Sequence, residues 1–196
     1  ALAALLDRAE KALPWVEFIQ NFGQTETGPL ITQYPADRRR NTQSLGRARD
    51  LIEAGVFMAP GVPAKPGEVG EIAARGVHLM REYLAEADET AAFFRSGDGW
   101  GWTGDLATID EDGQITLVGR VKDVIIAGGV NIYPAEIERV LAEHPSVEEC
   151  AAFGIADERW GELPVAAVVA VDGADIDAQE VADFCAARLA RHKRPR

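Results

Sequence analysis

Asn21-Phe22-Gly23-Gln24-Thr25-Glu26-Thr27 sets hydroxyls and one carboxylate beside a glycine. A threonine hydroxyl can donate to a phosphate oxygen, and a carboxylate can hold Mg²⁺ bridged to phosphates. Thr25 and Glu26 are candidates for that chemistry, against the plainer reading of a solvated turn. Trp102-Thr103-Gly104-Asp105 puts an aspartate where a strand is expected to begin. A carboxylate that accepts two hydrogen bonds suits the paired hydroxyls of a ribose; a capping or turn aspartate is the alternative. In Gly119-Arg120-Val121-Lys122-Asp123, the planar guanidinium of Arg120 can reach a ribose or phosphate from a strand end. It can equally pair at the surface with Asp123 or Glu111. Gly128-Gly129 has no side chains, which admits close approach to the backbone or simply makes a hairpin turn.

These residues need elements to hold them. Ala1 to Leu13 has apolar positions every three to four residues and predicts a helix stopped by Pro14. Trp15 to Ile19 alternates as a strand does, and a Gly, Thr and Pro-rich loop follows from Asn21 to Pro35. Leu45 to Gly76 is short apolar runs broken by Gly and Pro, the punctuation of small antiparallel strands. Residues 79–94, rich in Ala, Glu and Leu, predict a helix. Leu106–Ile109 and Gln114–Val118 form a hairpin around Asp110-Glu111-Asp112-Gly113. Beyond Arg120, Val121–Ile126 and Val147–Ile155 predict strands, and Val165–Val171 a central one. Pro134–Glu143 predicts a helix with Pro in its first turn. On it Ile137, Val140 and Leu141 face inward while Glu138 and Arg139 face out. Asp177–Arg191 is amphipathic, with Val181, Phe184, Cys185 and Leu189 on one stripe. The expected boundary is a short hinge near residues 119–122, separating 1–119 from 120–196.

Composition narrows the function. The chain has 196 residues, 47% of them hydrophobic and 27% charged, which is ordinary for a soluble globular protein. A net charge of −12 repels nucleic acid and anionic membranes at long range. No apolar run approaches a membrane span and no signal peptide opens the chain, so the cytoplasm is the expected compartment. Cys150 and Cys185 show no metal-ligand spacing and predict buried free thiols. His78, His144 and His192 carry no catalytic logic, and Arg38-Arg39-Arg40 reads as a solvated run, with contact to a phosphate or an acidic face as the alternative.

Residues 119–138 carry Gly, Arg, Lys-Asp, Gly, Asn, Pro and Glu at set positions, and they resemble the hinge and core motif of the adenylate-forming enzymes. That family holds acyl-CoA synthetases, carrier-protein-loading adenylation domains and luciferases. Phe22-Gly-Gln-Thr25-Glu26 resembles its aromatic-Gly-x-Thr-Glu motif, and Thr103-Gly104-Asp105 its Thr-Gly-Asp motif. The resemblance covers nearly the whole chain. It implies the end of a large nucleotide-binding domain, an α/β fold with small antiparallel strands here, joined to a compact α+β domain. It also implies roles. Phe22 packs on adenine, although members usually carry Tyr there, so stacking survives and a phenolic role does not. Thr25 bonds the α-phosphate and Glu26 ligates Mg²⁺. Asp105 and Arg120 bind the ribose. Lys122 stands at the hinge about which the small domain rotates between half-reactions. Gly129 walls the pantetheine tunnel of coenzyme A. Gly67-Glu68-Val69-Gly70-Glu71-Ile72 resembles a structural strand motif, and Asp157 to Glu162 the acyl-CoA synthetase form of its region.

Two family features have no counterpart here. Nothing upstream of Asn21 resembles the phosphate loop. The family's C-terminal lysine is expected past Arg191-His192-Lys193-Arg194-Pro195-Arg196, and Lys193 is not that lysine. The implied reading is part of an acyl-CoA synthetase that joins a carboxylic acid, fatty by expectation, to CoA through ATP, inactive as these 196 residues alone. A carrier-protein-loading adenylation domain and a non-catalytic nucleotide-binding module are the alternatives. Neither the acid nor the oligomeric state is legible.

Overall fold

Pro14 ends the first helix and two glycines bend the chain that follows it into a hairpin. The computed structural model describes residues 2–50 and 52–196; Ala1, where the first helix is expected to start, and Leu51 lie outside the described residues. Ala1–Val118 and Gly119–Arg196 form two compact units.

In the first unit helix α1 (Leu2–Ala12) precedes strands β1 (Gln20–Gln24) and β2 (Gly28–Gln33). Helix α2 (Pro35–Arg40) leads to β3 (Ser44–Ala48), β4 (Glu53–Ala59), β5 (Val62–Pro63) and β6 (Val69–Arg75). Helix α3 (Ala87–Phe93), β7 (Trp100–Ile109) and β8 (Ile115–Arg120), whose last two residues fall in the second unit, complete it. The eight strands make one sheet in the order β1-β2-β3-β8-β7-β6-β4-β5. Its core is Leu30, Ile31, Val56, Ile72, Ala74, Ala107 and Ile115, drawn from strands whose side chains alternate between the two faces.

Several expectations change here. Trp15–Ile19 is not a strand: Trp15, Val16 and Ile19 are all exposed, so no buried side selects the alternation. The strand begins at Gln20, and the expected loop 21–35 is largely the β1–β2 hairpin. The expected helix 79–94 shrinks to α3, because Ala85 takes a left-handed φ of 61° that no right-handed helix continues through. Arg38 is not solvated; it is buried and ion-paired with Asp7 and Glu10 of α1.

The second unit runs from a 3₁₀ turn (Val121–Asp123) through β9 (Ile125–Ala127), β10 (Val130–Ile132) and helix α4 (Pro134–Leu141). Strands β11 (Val147–Asp157) and β12 (Gly161–Ala170), helix α5 (Ala178–Ala186) and a 3₁₀ turn (Arg191–Lys193) follow. The first of these turns replaces the opening half of the strand expected over Val121–Ile126. The sheet order is β10-β9-β12-β11, so β12, with its apolar run from Val165, is internal. Proline opens α4, where a missing N–H costs nothing. The Asp177 carboxylate caps α5 by accepting from the Gln179 N–H at 2.9 Å, which satisfies an otherwise orphaned donor. Ile125, Ile132, Ile137, Leu141, Val181, Cys185 and Leu189 form the core. Glu138, expected on the outer face, instead accepts from the Ala152 N–H of β11 at 3.0 Å. Cys185 is buried but Cys150 only half-buried, and burial raises both thiol pKa values by disfavouring the charged thiolate. Every described strand pairing in both sheets is antiparallel. No described helix is long and apolar enough to cross a membrane.

Candidate active site

The β1–β2 hairpin is tight because Gly23 permits it: a Cβ there would collide with the Gly28 carbonyl oxygen, and glycine allows such close backbone approach. Leu30 bulges opposite the Phe22–Gly23 step, and Gly28 takes a φ of 58°. Of the three turn residues, Thr27 is consumed by the turn. Its hydroxyl accepts from the Gln24 N–H at 3.0 Å and donates to the Gly28 carbonyl at 2.9 Å. Thr25 is exposed and Glu26 half-buried. Glu26 is held twice: the Tyr83 hydroxyl donates to its Oε1 at 2.7 Å, and the Met80 N–H to its carbonyl at 2.7 Å. That bond to a carboxylate, with partial burial, pushes the Tyr83 phenol up to about 12, since both effects disfavour the phenolate.

Asp105 does not begin a strand, as the sequence suggests; it sits inside β7. Glu71 of β6 pairs with Leu106 and Ala73 with Trp102, so Thr103, Gly104 and Asp105 bulge opposite Ile72 alone. Gly104 supplies the φ of 74° the bulge requires, a conformation that side chains resist. The Thr103 hydroxyl donates to the Ile72 carbonyl at 2.9 Å and accepts from the Asp105 N–H at 3.1 Å. The Gly104 N–H donates to Glu71 Oε1 at 3.0 Å, while Arg95 donates to the two Glu71 oxygens at 3.2 and 2.5 Å. Arg95 in turn lies over the Trp102 ring, 4.2 Å from its centroid, a cation facing a π cloud. Glu71, expected to be a plain strand residue, is therefore a buried carboxylate that fixes the bulge.

One side chain joins turn to bulge. Gln24 Nε2 donates to the Thr103 carbonyl at 2.8 Å and to Asp105 Oδ2 at 2.6 Å. Gln24 thus ties the ribose-capable carboxylate of Asp105 to the turn that carries the phosphate-capable Thr25 and the metal-capable Glu26, though Asp105 lies eighty residues from Thr25 in sequence. Phe22, on β1 beside them, is half-buried and packs its ring on the core cluster. Gln24, Tyr83 and Glu71 are absent from the candidates the sequence yields. Gln24 alone carries a signal, standing inside the motif between Gly23 and Thr25.

Arg120, Lys122 and Gly129 belong to the second unit. Arg120 ends β8, and Lys122 is exposed in the 3₁₀ turn after it. Gly128 and Gly129, with φ of 60° and 80°, close the β9–β10 hairpin, the pair of left-handed residues that a two-residue turn demands. Open space surrounds a Cβ built on Gly129, whereas one on Gly128 would press on the Trp160 indole. Trp160 and Gly128 border a cleft of about 620 Å³ that also takes in Arg159, Arg191, Arg194 and Arg196.

The sequence matches the AMP-binding enzyme family over residues 2–84 and that family's C-terminal domain over residues 136–196. It is 42% identical over 182 residues to the indoleacetate–CoA ligase of Aromatoleum aromaticum, covering 92% of this chain and 35% of that protein. It is 38% identical over 184 residues to a long-chain-fatty-acid–CoA ligase of Mycobacterium tuberculosis, covering 92% of this chain and 35% of that one. The fold matches o-succinylbenzoate CoA synthetase of Bacillus subtilis in complex with its acyl-adenylate intermediate, with a TM-score of 0.86 at 34% identity. That match covers 98% of this chain and 39% of the other. The same enzyme in complex with ATP and magnesium ion gives a TM-score of 0.83, again at 34% identity, over 95% and 38% of the two chains. The chain thus spans little more than a third of the length of the relatives it matches.

Proposed function

The chain belongs to the AMP-binding enzyme family, and on that basis we propose that it supplies nucleotide-site residues to an acyl-CoA synthetase. In the first half-reaction a carboxylate oxygen attacks the α-phosphorus of ATP and pyrophosphate leaves, giving an acyl-adenylate. In the second, the thiol of coenzyme A gives up its proton and attacks the acyl carbon. AMP departs with the electron pair of the broken anhydride bond. The observation that carries this reading is the Gln24 side chain, which ties the Thr25–Glu26 turn to Asp105.

Each side chain has work that fits its surroundings. The exposed Thr25 hydroxyl can donate to an α-phosphate oxygen. Asp105, in its bulge, accepts from ribose hydroxyls; Arg120, in the other unit, is assigned to a ribose by the resemblance alone. Phe22, half-buried beside the turn, is assigned to adenine. Lys122, solvated in a single 3₁₀ turn, takes up the backbone change of domain rotation. Gly129 borders the path of the pantetheine thiol.

Glu26 fits a magnesium ion. Its Oε1 takes the Tyr83 hydroxyl, and no described residue donates to its Oε2. No cluster of three potential ligands occurs among the described residues, which suits an ion held by one carboxylate, water and substrate phosphates. Bound there, Mg²⁺ neutralises phosphate charge. Asp105 keeps the nucleotide oriented for in-line attack, the main lever in such a transfer. The free thiols Cys150 and Cys185 suit the reducing cytoplasm.

Long-chain fatty acids and indoleacetate are the first candidates for the acid, since relatives are named for both. Carboxylate-dependent ATP–pyrophosphate exchange by the full-length protein is expected with one such class. Asp105→Ala is expected to remove at least nine-tenths of it. A folded protein that binds AMP yet exchanges with no acid, from acetate to long-chain and aromatic acids, would instead be a nucleotide-binding module.

A further inference from the structure

Glu26 is gripped from a segment that secondary structure does not explain. Residues 76–86 form neither helix nor strand. Within them Ala85, at φ 61°, is the only non-glycine among the described residues with a positive φ. An L-residue stays there only when its neighbours over-determine the backbone. Those neighbours are visible. The Tyr83 N–H donates to the Thr90 hydroxyl at 2.9 Å, and that hydroxyl donates to the Glu86 carbonyl at 2.9 Å, at the start of α3. The segment so anchored sends two hydrogen bonds across to the β1–β2 turn, and both end on Glu26. Met80 fixes its backbone and Tyr83 its side chain.

We propose that Tyr83 is a positioning residue for Glu26: its hydroxyl fixes one carboxylate oxygen and thereby aims the other at the divalent cation that accompanies ATP. The proposal rests on the reading of Glu26 as the metal-holding carboxylate. A carboxylate on a hairpin turn has several rotatable torsions and samples many directions. Donation from a phenol at 2.7 Å removes most of them while leaving Oε2 open. Such outer partners commonly govern metal affinity by roughly ten- to a hundred-fold. Tyr83 touches neither nucleotide nor metal in this scheme and acts only through Glu26.

Binding of Mn²⁺, a paramagnetic stand-in for Mg²⁺, is measured by electron paramagnetic resonance on the full-length protein with ATP and no acid. AMP affinity is measured separately without metal. Tyr83→Phe keeps the ring and its packing. It is expected to weaken Mn²⁺ binding about ten-fold and leave metal-free AMP affinity unchanged. Glu26→Gln is expected to weaken Mn²⁺ binding further. Unchanged or tighter Mn²⁺ binding in Tyr83→Phe, with Glu26→Gln impaired, overturns the positioning role and leaves the metal assignment standing. An equal fall in metal-free AMP affinity also overturns it, since that marks general disruption of the site. Mn²⁺ binding untouched by Glu26→Gln sinks the metal assignment, and the role of Tyr83 with it.

Discussion

Gln24 offers the sharpest test of how the site is assembled. Gln24→Ala deletes a hydrogen bond to the Thr103 carbonyl and another to the Asp105 carboxylate. A neutral bond contributes about 0.5–1.5 kcal/mol and one to a charged group about 1.5–3 kcal/mol. Thr103 and Asp105 are only 5% and 6% exposed, so water replaces the lost donor poorly. The loss of stability is therefore expected near ~3 kcal/mol. AMP affinity is expected to fall about ten-fold, the equivalent of about 1.4 kcal/mol, as the turn drifts from the bulge. Gln24→Glu is expected to behave differently, because it sets a second carboxylate against Asp105. The second carboxylate favours retention of a proton by one of the two acids in the fold, raising its pKa above the ordinary ~4.3. The folded state binds more protons than the unfolded one, so stability falls as pH rises through that ordinary value and on to the raised one. Gln24→Glu should thus be nearer to wild type at about pH 5 than at about pH 8, while the alanine variant keeps a constant deficit. Urea denaturation followed by tryptophan fluorescence, at both pH values, measures this. An alanine variant within about 0.5 kcal/mol of wild type, the spread of neutral surface changes, with undiminished AMP affinity would refute the bridge. So would a glutamate variant that is more stable at the higher pH.

Gly23→Ala places a methyl group against the Gly28 carbonyl and must open the hairpin. A cost of about 1–3 kcal/mol and a loss of ATP–pyrophosphate exchange exceeding that of Gly129→Ala are expected, read by thermal melts and the exchange assay. Cys150 and Cys185, whose pKa values burial raises, should react with a disulfide reagent at about pH 8 more slowly than free cysteine. Raised thiol pKa values also mean that their contribution to stability is lost only as pH climbs past the ordinary thiol range of about 8.5. Cys185, the more enclosed, should react only on unfolding.

What is local was legible in the residues alone. Thr25, Glu26 and Asp105 stand out as candidates by residue type. Gly113 and the Asp110-Glu111-Asp112 run announce a turn, and Pro134 and Asp177 announce helix starts. Residues 119–138 carry a pattern dense enough to indicate the family. Each of these rests on a few neighbouring residues, where spacing maps directly onto geometry. The rest came into being only with the folded sheet. An amide at position 24 carries no chemistry until Asp105, 81 residues away, comes within 2.6 Å. Tyr83 looks like part of a helix until Glu26, 57 residues away, claims its hydroxyl. Arg38 resembles any solvated arginine until α1 brings Asp7 and Glu10 across it. Glu71 is an ordinary strand residue until β7 bulges and presents the Gly104 N–H. In every such case the interaction pairs groups far apart along the chain. Composition and periodicity measure only near neighbours, and the partner exists only once the sheet has closed.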